Sequence, residues 1–155
     1  MANASNWELE IRSSLDASTV FDEFVLKFFE FVAENVIPKE LGMKFTTVEG
    51  DGGVGSIKLM SFLDDQFPSV KYKVKLIDLD NFTYKLAMIK EENGKEYEST
   101  LSEMSVLPSF DGGCTFIQKN IDFEAISEDE IEIQKEQVAQ YFEVFEALVA
   151  QDFTE

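Results

Sequence analysis

Between Met43 and about Val106 the sequence alternates apolar and polar residues with the period of a β-strand. In residues 70–76 lysine occupies every second position, and the apolar residues predicted to share the opposite face are Val70, Tyr72, Val74 and Leu76. Turn signals at Asp78–Asn81 and Asn93–Gly94 separate successive runs. Because tight turns join antiparallel neighbours, this stretch predicts an antiparallel meander.

The segment before the meander predicts one strand and a helical region. Residues 6–13 alternate as a strand with one buried face. Asp16 or Ser18 can then cap a helical stretch that runs to about Val36. Its apolar residues cover more than one stripe, which predicts either one deeply buried helix or two short helices that meet near Leu26.

The C-terminal third predicts a last strand, Cys114–Phe123, and a long helix. Ser127 followed by Glu130 has the spacing of a capping box. We expect the helix to pack on the sheet through an apolar stripe formed by Ile131, Val138, Phe142, Phe145, Leu148 and Val149. The chain is therefore predicted to be one α+β domain, residues 1–155, in the order strand, helices, six strands, long helix.

Composition excludes several functions. The net charge of −18 opposes binding to nucleic acid or to an anionic membrane surface. The absence of histidine removes the commonest metal ligand and general base, and Cys114 is the only cysteine. No signal-peptide core or long apolar run occurs. We therefore expect a soluble cytoplasmic protein without metal or cofactor.

Glu49–Ser56 contains four glycines in six positions and has two interpretations. A phosphate-binding loop requires a helix opening at its end, so that amides and the helix dipole point at the anion. Here Ile57, Leu59 and Phe62 continue as a strand. The sequence favours a hairpin between strands two and three, and leaves an anion site beside Lys58 as the alternative.

The chain resembles the plant family that includes the major birch-pollen allergen, the pathogenesis-related class ten proteins and the major latex proteins. Glu49–Ser56 matches the glycine loop of that family, with Ser56 in place of threonine. Similar segments elsewhere are Asn35–Lys39, Phe67–Pro68, Asn81–Phe82 with Tyr84, Asp111–Gly113 and Lys135–Ala139. The hairpin at Lys90–Gly94 departs from the usual family pattern of Glu, Gly, Gly.

The resemblance implies a helix-grip fold, in which a curved seven-stranded antiparallel sheet surrounds a long C-terminal helix and two short helices follow strand one. It also implies a cavity that holds a hydrophobic or amphipathic molecule of plant hormone, flavonoid or alkaloid type. We expect an allergen-like plant defence protein that acts as a monomer. Alternation and family position predict the cavity lining as Phe24, Phe28, Met60, Phe62, Tyr72, Tyr84, Leu86, Met88, Phe142 and Phe145, with the glycine loop contributing Gly50, Gly52, Gly53, Gly55 and Lys58.

Four other functions are weighed against binding. An enzyme for condensation or isomerisation of phenolic or alkaloid substrates would use Lys or Tyr in the same cavity. The chemistry of norcoclaurine synthase is unsupported, because its Tyr and Glu fall on Lys71 and Lys73 or on Tyr72 and Val74, its Lys on Tyr84 and its Asp on Ser102. Ribonuclease activity at Lys58 is disfavoured by the negative charge. A hormone receptor of the abscisic-acid type needs a latch histidine that this chain lacks. An interaction protein acting through its acidic surface remains open.

Overall fold

The computed structural model describes residues 4–64 and 66–153. Its seven strands form one antiparallel sheet in the order β1-β7-β6-β5-β4-β3-β2. The six strands after β1 follow one another as a meander, and β1 closes the other edge by pairing with β7. The strands are β1 Ser5–Ser13, β2 Lys44–Glu49, β3 Ile57–Ser61, β4 Val70–Asp78, β5 Thr83–Glu92, β6 Lys95–Pro108 and β7 Cys114–Asp122.

The helical region after β1 is divided into two short pieces. Asp16 caps α1 (Ala17–Thr19), which continues as a π-helical segment, Val20–Val25. The Asp16 carboxylate accepts hydrogen bonds from the Ser18 and Thr19 side chains and the Thr19 amide, and these bonds lower the pKa of Asp16. After the break at Leu26, α2 spans Phe28–Asn35. The alternative of two short helices is therefore confirmed.

A β-bulge in β4 corrects one prediction about the inward face. Val74 pairs with Leu86, but the register then shifts, so that Leu76 lies opposite Lys85 and Ile77 lies opposite Tyr84. Ile77, and not Leu76, packs against the buried core. The prediction that Leu76 shares the face of Val74 is wrong because the extra residue reverses the alternation beyond it.

The long C-terminal helix, α3 (Glu128–Phe153), packs against the sheet as predicted, with Val138, Phe142 and Phe145 buried. Side chains of β1 hold it along its length: Trp7 Nε1 donates to Gln134 Oε1 at 3.0 Å, and Ser13 Oγ donates to Glu146 Oε2 at 2.7 Å. Among the described helices, none is long and apolar enough to cross a membrane.

The start of α3 uses only one half of the predicted capping box. The Glu130 amide donates to Ser127 Oγ at 3.1 Å, as expected of an N-cap. The Glu130 side chain instead accepts a hydrogen bond from Gln134 Nε2 at 3.3 Å. Gln134 therefore links the first turns of α3 to Trp7 on the sheet.

Phenylalanine rings fill one end of the interior. Phe24 is fully buried, and the rings whose centroids lie 5.1 to 5.7 Å from its own are Phe28, Phe31, Phe116, Phe142 and Phe145. Most of these pairs meet edge to face, an arrangement favoured by the ring quadrupole. The rings fill the space between the π-helical segment, α2, α3 and the first residues of β7.

Candidate functional site

The glycine loop is a hairpin between β2 and β3, as the sequence favoured, and three of its glycine amides bond to the protein itself. Gly52 donates to Ser56 Oγ at 2.8 Å, Gly53 to Asp51 Oδ1 at 2.9 Å, and Gly55 to the Val74 carbonyl at 2.8 Å. An anion-binding loop needs free amides that point at the anion. The amides of Gly52, Gly53 and Gly55 are therefore not free for an anion.

Lys58 lies on β3, opposite Tyr72 of β4. Its Nζ is 5.3 Å from the ring centroid of Phe45, a cation–π arrangement. The side chain is half-buried and directed at an aromatic ring. The anion site beside Lys58, which the sequence leaves as the alternative, stays a hypothesis.

A cavity of about 230 Å³ lies between the sheet and the N-terminal half of α3. Its aromatic wall combines rings from β1, α2, β4 and α3. These rings are Trp7, Phe28, Phe29, Tyr72 and Tyr141, with Met88 beside them. Phe29 packs against Tyr72 with 4.8 Å between ring centroids, which fixes this side of the cavity.

The opposite wall is polar and comes from β6 and β7. Thr100 and Ser102 lie opposite Asp122 and Asn120 in the register, and the four side chains, together with Gln118, line the cavity. Thr100 Oγ1 donates to Asp122 Oδ1 at 2.8 Å, and Ser102 Oγ donates to Asn120 Oδ1 at 2.6 Å. The structure therefore has a mixed cavity, where a mostly apolar one was expected.

Two buried oxygens of this wall lack hydrogen-bond donors. Gln118 Nε2 donates to Asn120 Oδ1 at 3.3 Å, but Gln118 Oε1 has no partner in the described part of the chain. The same holds for Asp122 Oδ2. Buried polar atoms in native proteins are nearly always paired, so these two acceptors are exceptions, and both are closed off from solvent.

The ten predicted lining residues divide into three groups. Phe28, Tyr72 and Met88 line the 230 Å³ cavity. Met60 and Phe62 are half-buried near β3, and Phe62 packs on Phe67 with 5.5 Å between centroids. The remaining five belong to the buried core: Phe24, Tyr84, Leu86, Phe142 and Phe145.

Of the two predicted tyrosines, Tyr84 is buried and Tyr72 is half-buried. Burial raises the pKa of Tyr72 to about 12, and burial together with the charge of Glu30 raises the pKa of Tyr84 to about 12. At neutral pH both hydroxyls therefore stay protonated. Tyr72, which lines the cavity, can act there as a hydrogen-bond donor and not as a base.

Two larger concavities lie elsewhere in the described structure. One of about 740 Å³ runs between the helical region Ala17–Asn35 and the C-terminal part of α3. Glu23 and Lys27 form an exposed ion pair there, and Phe145 contributes to the wall. Another of about 460 Å³ lies at the β4–β5 edge, lined by the exposed pair Lys71 and Glu96. Each of these two is lined by only one of the predicted residues, whereas three of them line the smaller cavity, so we take the smaller cavity as the candidate site.

The polar wall was missed by sequence reasoning, although the sequence carries a signal for it. Thr100 and Ser102 have the same strand parity as the buried Met104, and Gln118, Asn120 and Asp122 have the parity of Phe116. Polar residues at inward positions of a strand are the exception that suggests a site. Among residues 4–64 and 66–153, no group of three or more Cys, Asp or Glu is placed to hold a metal ion.

A family model described as "Pathogenesis-related protein Bet v 1 family" matches residues 3–151. The chain is 34% identical over 152 residues to "Probable intracellular pathogenesis-related protein T1" of Catharanthus roseus, and the match covers 93% of this chain and 94% of that relative.

Solved structures share the fold. Ara h 8.0201 superposes with a TM-score of 0.75 at 17% identity, covering 96% of this chain and 99% of that one. Norcoclaurine synthase from Thalictrum flavum, in complex with dopamine and hydroxybenzaldehyde, superposes with a TM-score of 0.63 at 17% identity, covering 97% of this chain and 88% of that one. At this identity the likeness establishes the architecture alone.

Proposed function

Because the chain belongs to the pathogenesis-related protein Bet v 1 family, we propose that it binds a small aromatic or amphipathic molecule between its sheet and α3. The observation that carries this proposal is the 230 Å³ cavity with aromatic rings on one wall and hydrogen-bonding groups on the other. Ligand sites typically combine apolar walls with a few placed polar groups. Ligands of one or two rings suit this volume, which is below the usual range of about 300–1,000 Å³ for drug-sized molecules.

The place of action that we propose is the cell interior, with the protein acting as a monomer and without nucleic acid. The relative from Catharanthus roseus is named as intracellular, which supports the location. The net charge of −18 opposes association with nucleic acid. Within this family setting, a hormone, flavonoid fragment or alkaloid precursor is the ligand type we favour.

Trp7 provides the test, because it is the only tryptophan in the chain and it lines the cavity. We expect saturable changes in Trp7 emission or calorimetric heat when 2,6-dihydroxynaphthalene, naphthalene or plant metabolites are titrated at micromolar concentrations. Val138→Phe should abolish them, since Val138 is buried on α3 and a larger ring there would occupy the cavity.

Ile133→Phe is the matched control, because Ile133 lies on the same helix and is exposed. It should bind as the unmodified protein does. Absence of saturable binding in the folded protein, or binding that Val138→Phe leaves unchanged, would contradict the proposed site.

Catalysis in the same cavity is a second candidate because Asp122 and Tyr72 both line it. A carboxyl group near a phenol could move a proton in a condensation reaction. The pKa of about 12 for Tyr72 leaves only a donor role for that hydroxyl at neutral pH. We therefore expect binding without turnover when the protein is incubated with dopamine and 4-hydroxybenzaldehyde and the mixture is followed by chromatography; a product whose yield falls in Asp122→Asn would favour the enzyme.

A further inference from the structure

The concavity of about 740 Å³ between α2 and the C-terminal part of α3, called here the α2–α3 groove, has an apolar floor. Phe31 of α2 and Phe145 of α3 meet there edge to face, with 5.6 Å between ring centroids. Leu148 and Val149 continue the floor along α3 and are only half-buried, so part of their apolar surface is open to solvent. None of these four residues lines the 230 Å³ cavity.

The rim of the α2–α3 groove is acidic. Glu23, Lys27, Glu30 and Glu34 line it from the helical region after β1. Lys27 Nζ lies 3.3 Å from Glu23 Oε2, so that these two charges compensate each other. Glu30 and Glu34 have no ion-pair partner among residues 4–64 and 66–153. Two carboxylates one helical turn apart on α2 are therefore left without a cation beside an apolar floor.

Charge restricts what can cover this groove. A second copy of the chain, a nucleic acid and an anionic membrane surface all carry negative charge, and the net charge of −18 repels each of them. A partner rich in lysine or arginine is attracted by the same net charge. Glu30 and Glu34 then supply the local complement that fixes such a partner in one place.

The shape of the groove suits a helix. Its two walls are helices, and a groove between helices accepts the apolar face of a third. Apolar side chains of that helix would contact Leu148 and Val149. Basic side chains four residues apart at its edge would have the spacing of Glu30 and Glu34, about 6 Å along the axis. A small cation with one charge would engage only one of the two carboxylates.

We propose that the α2–α3 groove binds a basic amphipathic helix of a partner protein. Its apolar face packs on Leu148 and Val149, and its lysine or arginine side chains pair with Glu30 and Glu34. This interaction surface lies apart from the 230 Å³ cavity, so it does not depend on whether that cavity binds a small molecule.

The test measures fluorescence anisotropy of a fluorescein-labelled amphipathic peptide of leucine and lysine, about fourteen residues long, at about 0.15 M salt, where charges more than about 8 Å apart are largely screened. We expect saturable binding. The double variant Glu30→Gln, Glu34→Gln should bind at least about fivefold more weakly, because two ion pairs are lost.

The double variant Glu132→Gln, Glu136→Gln is the matched control, because it removes the same charge from exposed positions on the N-terminal half of α3. Its affinity should change by less than about twofold. Equal weakening of the two double variants would overturn the proposal, because the peptide would then be responding to net charge alone.

Leu148→Lys tests the apolar floor, because it places a positive charge where the peptide packs. It should weaken binding by about fivefold or more, whereas Ile133→Lys, the same charge change at an exposed position of α3, should weaken it by less than about twofold. The glutamate variants keep the test decisive if Leu148→Lys fails to fold.

Octyltrimethylammonium distinguishes a small organic cation from a helix. If it binds as tightly as the peptide and depends equally on Glu30 and Glu34, the groove is a small-molecule site and the proposed partner is wrong. Absence of saturable peptide binding would also overturn the proposal. Neither result bears on the titration of the 230 Å³ cavity with naphthalene, so the two proposals can fail separately.

Discussion

Phe24 shows how one side chain controls the interior of this protein. From the sequence it was a candidate ligand contact in the helical region after β1. In the structure its ring meets five other phenylalanine rings and has no exposed surface. Alternation and helical periodicity identify which residues point inward, but they do not distinguish a ring that packs on its neighbours from one that borders a cavity.

The position of Phe24 leads to a stability prediction. Phe24→Ala should lower the free energy of unfolding by about 3–5 kcal/mol, because it removes a buried ring and leaves a void among the others. Phe110→Ala is the control: Phe110 is fully exposed in the β6–β7 loop, and its loss should change stability by at most about 0.5 kcal/mol. Urea unfolding followed by Trp7 emission measures both variants, and similar midpoints for the two would contradict the packing role.

At the scale of elements, most of the meander was predictable and the bulges were not. The turns at Asp78–Asn81 and Asn93–Gly94 and the long terminal helix follow from local sequence signals. The bulge between Val74 and Leu76 has no such signal, because it is set by how β4 must curve against β5. Because of this bulge, the inward face carries Ile77 at the place where alternation predicts Leu76.

The glycine loop offers a matched pair for testing backbone geometry. Gly50 and Gly52 both have positive φ, at 87° and 95°. A Cβ on Gly50 would lie 2.5 Å from Ser56 Oγ and 3.0 Å from Ser56 Cα, whereas a Cβ on Gly52 would meet nothing within 4 Å.

Gly52→Ala should therefore destabilise by about 1–2 kcal/mol through the left-handed conformation alone. Gly50→Ala should cost clearly more, since it adds the steric clash with Ser56. Thermal unfolding of both variants under identical conditions gives the comparison. Equal losses would show that the loop moves enough to remove the contact.

At the scale of the whole molecule, labelling of the single cysteine reports on global unfolding. Cys114 is fully buried at the start of β7, and burial, with the charges of Asp16 and Glu146, raises its pKa to about 11. In this environment Cys114 packs as a small hydrophobe, because a neutral thiol without access to solvent is a poor nucleophile.

We expect labelling of Cys114 by a disulfide reagent such as dithionitrobenzoate to be at least about a thousandfold slower in the native protein than in denaturant, since reaction must await unfolding. The rate should rise with urea in parallel with the unfolded fraction. Labelling in buffer as fast as in denaturant would mean that this end of the sheet opens locally.

The sequence by itself determined the element order, the antiparallel sheet and the helix that packs on it, because turns, caps and period-two alternation are local properties of the chain. The family followed from the resemblance of the glycine loop and the other matched segments. Only the tertiary structure decided where the interior is filled and where it is empty. The ring cluster around Phe24 and the polar wall at Gln118 and Asp122 depend on side chains more than ninety residues apart meeting across the fold. Their packing is a property of the assembled molecule. It leaves the candidate site beside the side-chain amides of Gln118 and Asn120 on β7.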